Sequence, residues 1–224
     1  MQDTSHFGDD ELNSLAGWPA RGLYAITDGP RPDLLEVVAQ ALAGGARLLQ
    51  YRDETGDGAR RLAEAQALAD LCRARGVPLI IGADVVLAGQ VGADGVHLDT
   101  AAEVAAAREA LGARAVIGVS CRGSLDTARV AVAAGASYVS FGVMFPSTTK
   151  PLAPCVPHDL LRQSAALGVP RVAIGGITPE NGASLVEAGA DCLAAISALF
   201  GATDVRAAAA SFASLYSPDR ETAR

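Results

Sequence analysis

The feature that most narrows the fold of this chain is a rhythm. A short apolar run is followed by a segment long enough for a helix, and the pair recurs eight times. The runs are Gly22–Ile26, Leu48–Tyr51, Pro78–Ile81, Gly95–Leu98, Ala115–Val119, Tyr138–Gly142, Arg171–Ile174 and Cys192–Ile196. Helices are predicted over Asp33–Ala43, Gly58–Arg75, Val85–Val91, Ala101–Leu111, Ser124–Ala134, His158–Leu167, Pro179–Ala188 and Asp204–Leu215. Continuous apolar runs of this length are strands buried on both faces, which belong to parallel sheets covered by helices. Gly-Ala pairs at 45–46, 92–93, 112–113, 135–136 and 189–190 each stand between a helix and the next strand. Glycine there supplies the left-handed turn that ends a helix. Eight units within 224 residues and no domain-scale linker predict one closed (β/α)₈ barrel. An open doubly wound sheet would be favoured by an early Gly-x-Gly-x-x-Gly, which the chain lacks. The barrel is expected over residues 21–216, with 1–20 a tail or short extra helix and 217–224 a frayed end.

Charge and cysteine content bound the partners. A net charge of −7 offers no basic stripe for nucleic acid, so any bound anion must be held locally by a few cations or backbone N–H groups. Cys72, Cys121, Cys155 and Cys192 share no metal-type spacing, and buried reduced thiols in a cytoplasmic protein are expected. No stretch is apolar enough for a membrane span or an export signal. Small phosphorylated molecules are the partners expected from the strand-end residues, and a second copy of the chain stays open as a further partner.

In such a barrel, chemistry sits where strands end and βα loops begin. The polar residues fall there: Thr27-Asp28 after strand 1, Gln50 to Glu54 at strand 2, His97-Leu98-Asp99 at strand 4, Ser120 at strand 5, Ser147-Thr148-Thr149-Lys150 after strand 6, Gly175-Gly176 after strand 7 and Ser197 after strand 8. Two glycines after strand 7 and a small residue after strand 8 let a phosphate approach backbone N–H groups at a helix start. The Ser147–Lys150 loop adds three hydroxyls and an ammonium. Gln50 and Arg52 alternate on one strand and so share a face, and an Arg in a barrel mouth calls for an anion. His97 reads equally well as a satisfied interior histidine.

Together these residues resemble the thiamine-phosphate synthase family, which joins a pyrimidine diphosphate to a thiazole phosphate and releases pyrophosphate. The resemblance runs from about Gly22 to Phe200. It rests on Tyr24 to Asp28, Leu49 to Arg52, Gly92 to Leu98, Ile117 to Cys121, the stretch from Phe141-Gly142 to Lys150-Pro151, Ala173 to Ile177 and Ile196-Ser197. It implies that Ser147, Thr149, Gly176, Ile196 and Ser197 hold the thiazole phosphate, with Thr148 alongside. It also implies that Gln50, Arg52, Ser120 and Lys150 meet the diphosphate, with Arg52, Ser120 and Lys150 acting in catalysis. Magnesium is implied as the cofactor of a working synthase.

Four positions depart from the family pattern. Glu54 stands where the family has Lys, and Gly82-Ala83 where it has Asn and a metal-binding Asp. Ala102 stands where it has a second metal-binding Asp. Asp84 and Asp99 are nearby carboxylates that could carry a displaced metal or cap the following helices. The sister family, thiazole tautomerase, needs no such metal but uses a His after strand 5, where this chain has Arg122. A non-catalytic binder of thiazole phosphate or thiamine phosphate is the third reading.

Overall fold

A computed structural model describes Trp18, residues 21–146 and residues 154–217. Eight parallel strands close into a barrel in sequence order: β1 (Gly22–Ile26), β2 (Ala46–Tyr51), β3 (Leu79–Gly82), β4 (Gly95–Leu98), β5 (Val116–Arg122), β6 (Tyr138–Phe141), β7 (Arg171–Ile174) and β8 (Cys192–Ala195). The β1–β8 pairing that closes the ring matches Gly22 with Cys192 and Tyr24 with Ala194. The helices are α1 (Leu34–Ala43), α2 (Gly58–Arg75), α3 (Val85–Val91), α4 (Val104–Leu111), α5 (Leu125–Ala133), α6 (Asp159–Gln163), α7 (Ala183–Glu187), α8 (Ser197–Phe200) and α9 (Val205–Ala213).

The expected barrel and its helix-ending turns are both present. The glycine of each of the five Gly-Ala pairs has positive φ, between 61° and 103°. Helices begin on side-chain caps, with Asp57, Asp84, Ser124 and Asp204 each accepting from the N–H three residues on.

Alternation along the strands divides two cores. Leu23, Ala25, Leu49, Leu79, Ile81, Val96, Ile117, Val139, Ala173 and Leu193 pack outward with the helices. Tyr24, Leu48, Ile80, Val116, Tyr138, Val172 and Cys192 point inward and fill the barrel. Trp18, in the segment expected to be a tail or extra helix, is buried in this inner cluster, its ring 4.5 Å from that of Tyr138.

Several boundaries differ from expectation. β5 continues through Ser120 and Cys121 to Arg122, because Ser120 pairs with Ser140 and Arg122 with Phe141 across an irregular step. The segment His158–Leu167 divides into α6 and a 3₁₀ turn, Ser164–Leu167. Residues 179–182 are not helical, because Asn181 bonds back to Thr178 and Gly176. The short helix α8 was not anticipated. Cys72, Cys121 and Cys192 are buried, with thiols pushed up to about 12 by desolvation, whereas Cys155 is exposed.

Candidate active site at the barrel mouth

The ends of β6, β7 and β8 form one side of the mouth. Met144 and Phe145 donate backbone bonds to the carbonyls of Ile174 and Gly175, at 3.0 Å each, so the loop after β6 lies against the loop after β7. The contact has no room for a side chain. A Cβ on Gly176 would lie 2.5 Å from the Phe145 carbonyl oxygen and 2.6 Å from that of Pro146. Gly175 and Gly176 both have positive φ, at 100° and 64°. Asn181 fixes this turn from behind. Its Nδ2 donates to the Gly176 carbonyl at 2.9 Å, and its Oδ1 accepts from the Thr178 N–H at 2.8 Å.

Asn181 was missed in the sequence reading. Its signal was an Asn three residues beyond a Thr and just past a Gly-Gly turn, a local side chain-to-backbone pattern. Next to this turn, Ile196 and Ser197 open α8, with Ser197 exposed. The first N–H groups of any helix lack intrahelical partners and face outward. The loop residues Ser147, Thr148, Thr149 and Lys150 lie outside the described residues.

The ends of β2, β3 and β4 form the other side. Thr27, buried at the end of β1, accepts from the Arg52 N–H at 2.8 Å and donates to the Arg52 carbonyl at 3.0 Å, so the backbone of Arg52 is fixed. Its guanidinium is paired: Nε donates to Glu54 Oε1 at 2.9 Å, and a second nitrogen of the fork meets the same oxygen. Gln50 is buried on the same strand face, whereas Ser120 is only half-buried on β5. Asp53 points the other way. Burial alone would raise its pKa, but bonds from Thr55 N–H and Arg60 outweigh that and hold the carboxyl below its usual range.

The magnesium implied by the family does not fit this side. Asp84 is fully employed, with Oδ1 capping α3 through the Leu87 N–H at 2.9 Å and Oδ2 paired with Arg61 at 2.7 Å. Asp99, the other nearby carboxylate, is exposed, and the two positions where the family has its metal-binding Asp are Ala83 and Ala102, both exposed. Among the described residues, no three His, Cys, Asp or Glu side chains come together in a way that could hold a metal ion. Ala83 keeps a left-handed backbone with φ of 55°, held by its N–H to the His97 carbonyl at 2.8 Å. Arg122, where a tautomerase would have its histidine, is exposed at the end of β5.

Between the two sides, inside the barrel, runs a buried polar chain. His97 contacts Tyr138 at 2.8 Å, Tyr138 contacts Tyr24 at 2.9 Å, and Tyr24 donates to Gln50 at 3.1 Å. Burial pushes the His97 pKa down to about 4, with Asp99 opposing the shift, so the imidazole is neutral near pH 7. This favours the interior-histidine reading of His97.

A closed eight-stranded parallel barrel with its polar residues gathered at the C-terminal mouth defines the class: a (β/α)₈ protein built to act on a small molecule there. The chain belongs to the thiamine monophosphate synthase family, whose model matches residues 23–199. It is 54% identical over 195 residues to a thiamine-phosphate synthase of Chromobacterium violaceum, covering 86% of this chain and 94% of that one. It is 49% identical over 197 residues to one of Nitrosococcus oceani, covering 86% and 91%. A solved structure, thiamine phosphate pyrophosphorylase from Pyrococcus furiosus, superposes with a TM-score of 0.77 at 32% identity, covering 88% of this chain and 95% of that one. Among the described residues, no helix is long and apolar enough to cross a membrane.

Proposed function

We propose that this chain is a cytoplasmic thiamine-phosphate synthase, coupling hydroxymethylpyrimidine diphosphate with thiazole phosphate and releasing pyrophosphate. The observation that carries the reading is relatedness at about half identity over nearly the whole barrel, mouth included. In the reaction, the bond from the pyrimidine methylene to its bridging oxygen breaks, and pyrophosphate leaves with the electron pair. The thiazole ring nitrogen then forms the new carbon–nitrogen bond.

We assign the thiazole phosphate to the β6–β8 side, where Gly176, Ile196 and Ser197 together with Ser147, Thr148 and Thr149 would surround it. The absence of side chains at Gly175 and Gly176 supports a close backbone approach. Arg52, Gln50, Ser120 and Lys150 would receive the diphosphate, with Arg52 and Lys150 stabilising charge that grows on the departing group. For Arg52 to do so it must leave Glu54, because a guanidinium fork already held by a carboxylate is spent as an anion receptor.

That pairing, together with the poor fit to magnesium, favours one second reading, a barrel that binds thiazole phosphate without turnover. A single assay separates the two. Incubation of both substrates with Mg²⁺ should yield thiamine phosphate and pyrophosphate in a one-to-one ratio, and omission of Mg²⁺ should lower both. No product, with thiazole phosphate still bound, would establish the second reading. Assembly with a second copy of the chain is compatible with either.

A further inference from the structure

Five polar side chains cross the barrel interior from β6 to β2. Ser140 Oγ lies 3.4 Å from His97 Nε2, and His97 Nδ1 lies 2.8 Å from Tyr138 Oη. Tyr138 Oη lies 2.9 Å from Tyr24 Oη, which lies 3.1 Å from Gln50 Oε1. Gly118 makes space for the central ring, since a Cβ there would lie 2.0 Å from the Tyr138 Cζ. Most of these contacts, taken one at a time, could run in either direction. Taken together they have one consistent order.

Gln50 Oε1 is a carbonyl oxygen and only accepts, so the single hydroxyl hydrogen of Tyr24 goes to it. Tyr24 then has nothing to donate to Tyr138, and the Tyr138 hydroxyl must donate to Tyr24. Tyr138 has thereby used its own hydrogen, so His97 Nδ1 must carry one and donate to Tyr138. A neutral imidazole has one N–H, which leaves Nε2 to accept from the Ser140 hydroxyl. Every link is satisfied, as a buried network must be if it is to stabilise rather than penalise the fold. At the far end, the amide nitrogen of Gln50 is directed beside Gly82, where a Cβ would come within 3.0 Å of it.

We infer that Ser140, His97, Tyr138 and Tyr24 are positioning residues that hold the Gln50 amide in one orientation, with its NH₂ turned toward the end of β3. At this point the Gln50 side chain then presents its donor and not its acceptor, beside the Tyr51 carbonyl. A substrate atom seated there must bring a lone pair, as a ring nitrogen or an oxygen does. A ring N–H in the same place would face N–H and lose its partner, the arrangement by which a polar pocket rejects a near-isostere. The identity of that substrate rests on the reading proposed above, whereas the proton order does not.

The order makes a prediction at a distance. The proton on His97 is dictated by Gln50, two tyrosines away. Nitrogen-15 NMR of the intact protein at pH 7 reads which imidazole nitrogen carries hydrogen, and comparison with His97→Gln picks this signal from those of His6 and His158. The wild type should show the Nδ1–H form. Gln50→Glu keeps an acceptor for Tyr24 and should leave the form unchanged. Gln50→Leu removes the acceptor, so Tyr24 donates to Tyr138, Tyr138 to His97 Nδ1, and the proton moves to Nε2. Tyr24→Phe, a milder change for folding, frees the Tyr138 hydroxyl for Nδ1 and should cause the same shift. An Nε2–H wild type, or an Nδ1–H form that persists in the Gln50→Leu and Tyr24→Phe proteins, overturns the inference. The readout needs no turnover, so an inactive protein would count against the synthase reading and leave this one standing.

Discussion

The two sides of the mouth have been built by different means. The β6–β8 side is made of backbone: glycines with no room for a Cβ, the Gly176 carbonyl held by Asn181, and a helix start. The β2–β4 side is made of charged side chains that already hold one another, Arg52 with Glu54 and Arg61 with Asp84. A backbone site is ready before its ligand arrives. A side-chain site that is internally neutralised must first be opened, and each opened pair subtracts from what the ligand gains.

The harshest test of this contrast is Gly176→Asp. The added Cβ would meet two carbonyl oxygens within 2.6 Å, and its carboxylate would repel a phosphate. Thiazole-phosphate binding should vanish, a loss of at least roughly a thousandfold, with the fold checked by circular dichroism. Retained affinity would remove the phosphate from this side.

The second test concerns acid. His97, beneath the β2–β4 side, has its pKa lowered from 6.5 to about 4. Between these values the unfolded chain binds a proton that the folded chain refuses, so stability is complete above the upper value and falls as pH drops toward the lower one. The loss should reach up to about 3 kcal/mol. Asp53, also depressed, acts in a lower window, from its ordinary 3.8 downward. Denaturant titrations across this range should show the upper slope in the wild type and not in His97→Gln. Equal slopes would mean the imidazole stays protonatable in the barrel.

The third test rebuilds the weaker side. Glu54→Lys, Gly82→Asn, Ala83→Asp and Ala102→Asp together should raise Mg²⁺-dependent turnover by at least roughly a hundredfold, since a restored charge contact is worth a few kcal/mol in a transition state. The Asn must displace the Gln50 amide by a few tenths of an ångström, because its Cβ would come within 3.0 Å of it. Natural protein that already matches the rebuilt one in turnover would show the four departures to be harmless. The mildest test is Glu54→Gln. Releasing an exposed guanidinium should tighten the pyrimidine diphosphate by about tenfold at low salt and less at high salt. Unchanged affinity would mean that Glu54 does not compete with substrate.

Much of the architecture was legible because doubly buried strands are short and continuously apolar, and all eight stood out between helical segments. The same property hid the interior chain. When both faces of a strand are apolar, Tyr24 and Tyr138 look like any other core residues, and no period tells inward from outward. The side-chain-free turn after β7 could be read from Gly175-Gly176, since the backbone requirement is local. The pairing of Arg61 with Asp84 could not, because the choice of partner across 23 residues is made by the packing of α2 against α3. The extension of β5 was lost for a related reason, since Ser120 and Cys121 belong to the strand by register and not by hydrophobicity.

Ala83 carries a practical consequence for anyone using this barrel as a scaffold. An L-residue with a Cβ pays about 1 kcal/mol to sit at a φ of 55°. Its side chain is exposed and its N–H is the group the barrel needs. Position 83 is therefore a vacancy for engineering. Asn or Asp tolerates the left-handed basin better than Ala does, and Gly enters it freely. Replacement there should raise the melting temperature by a few degrees without touching the core.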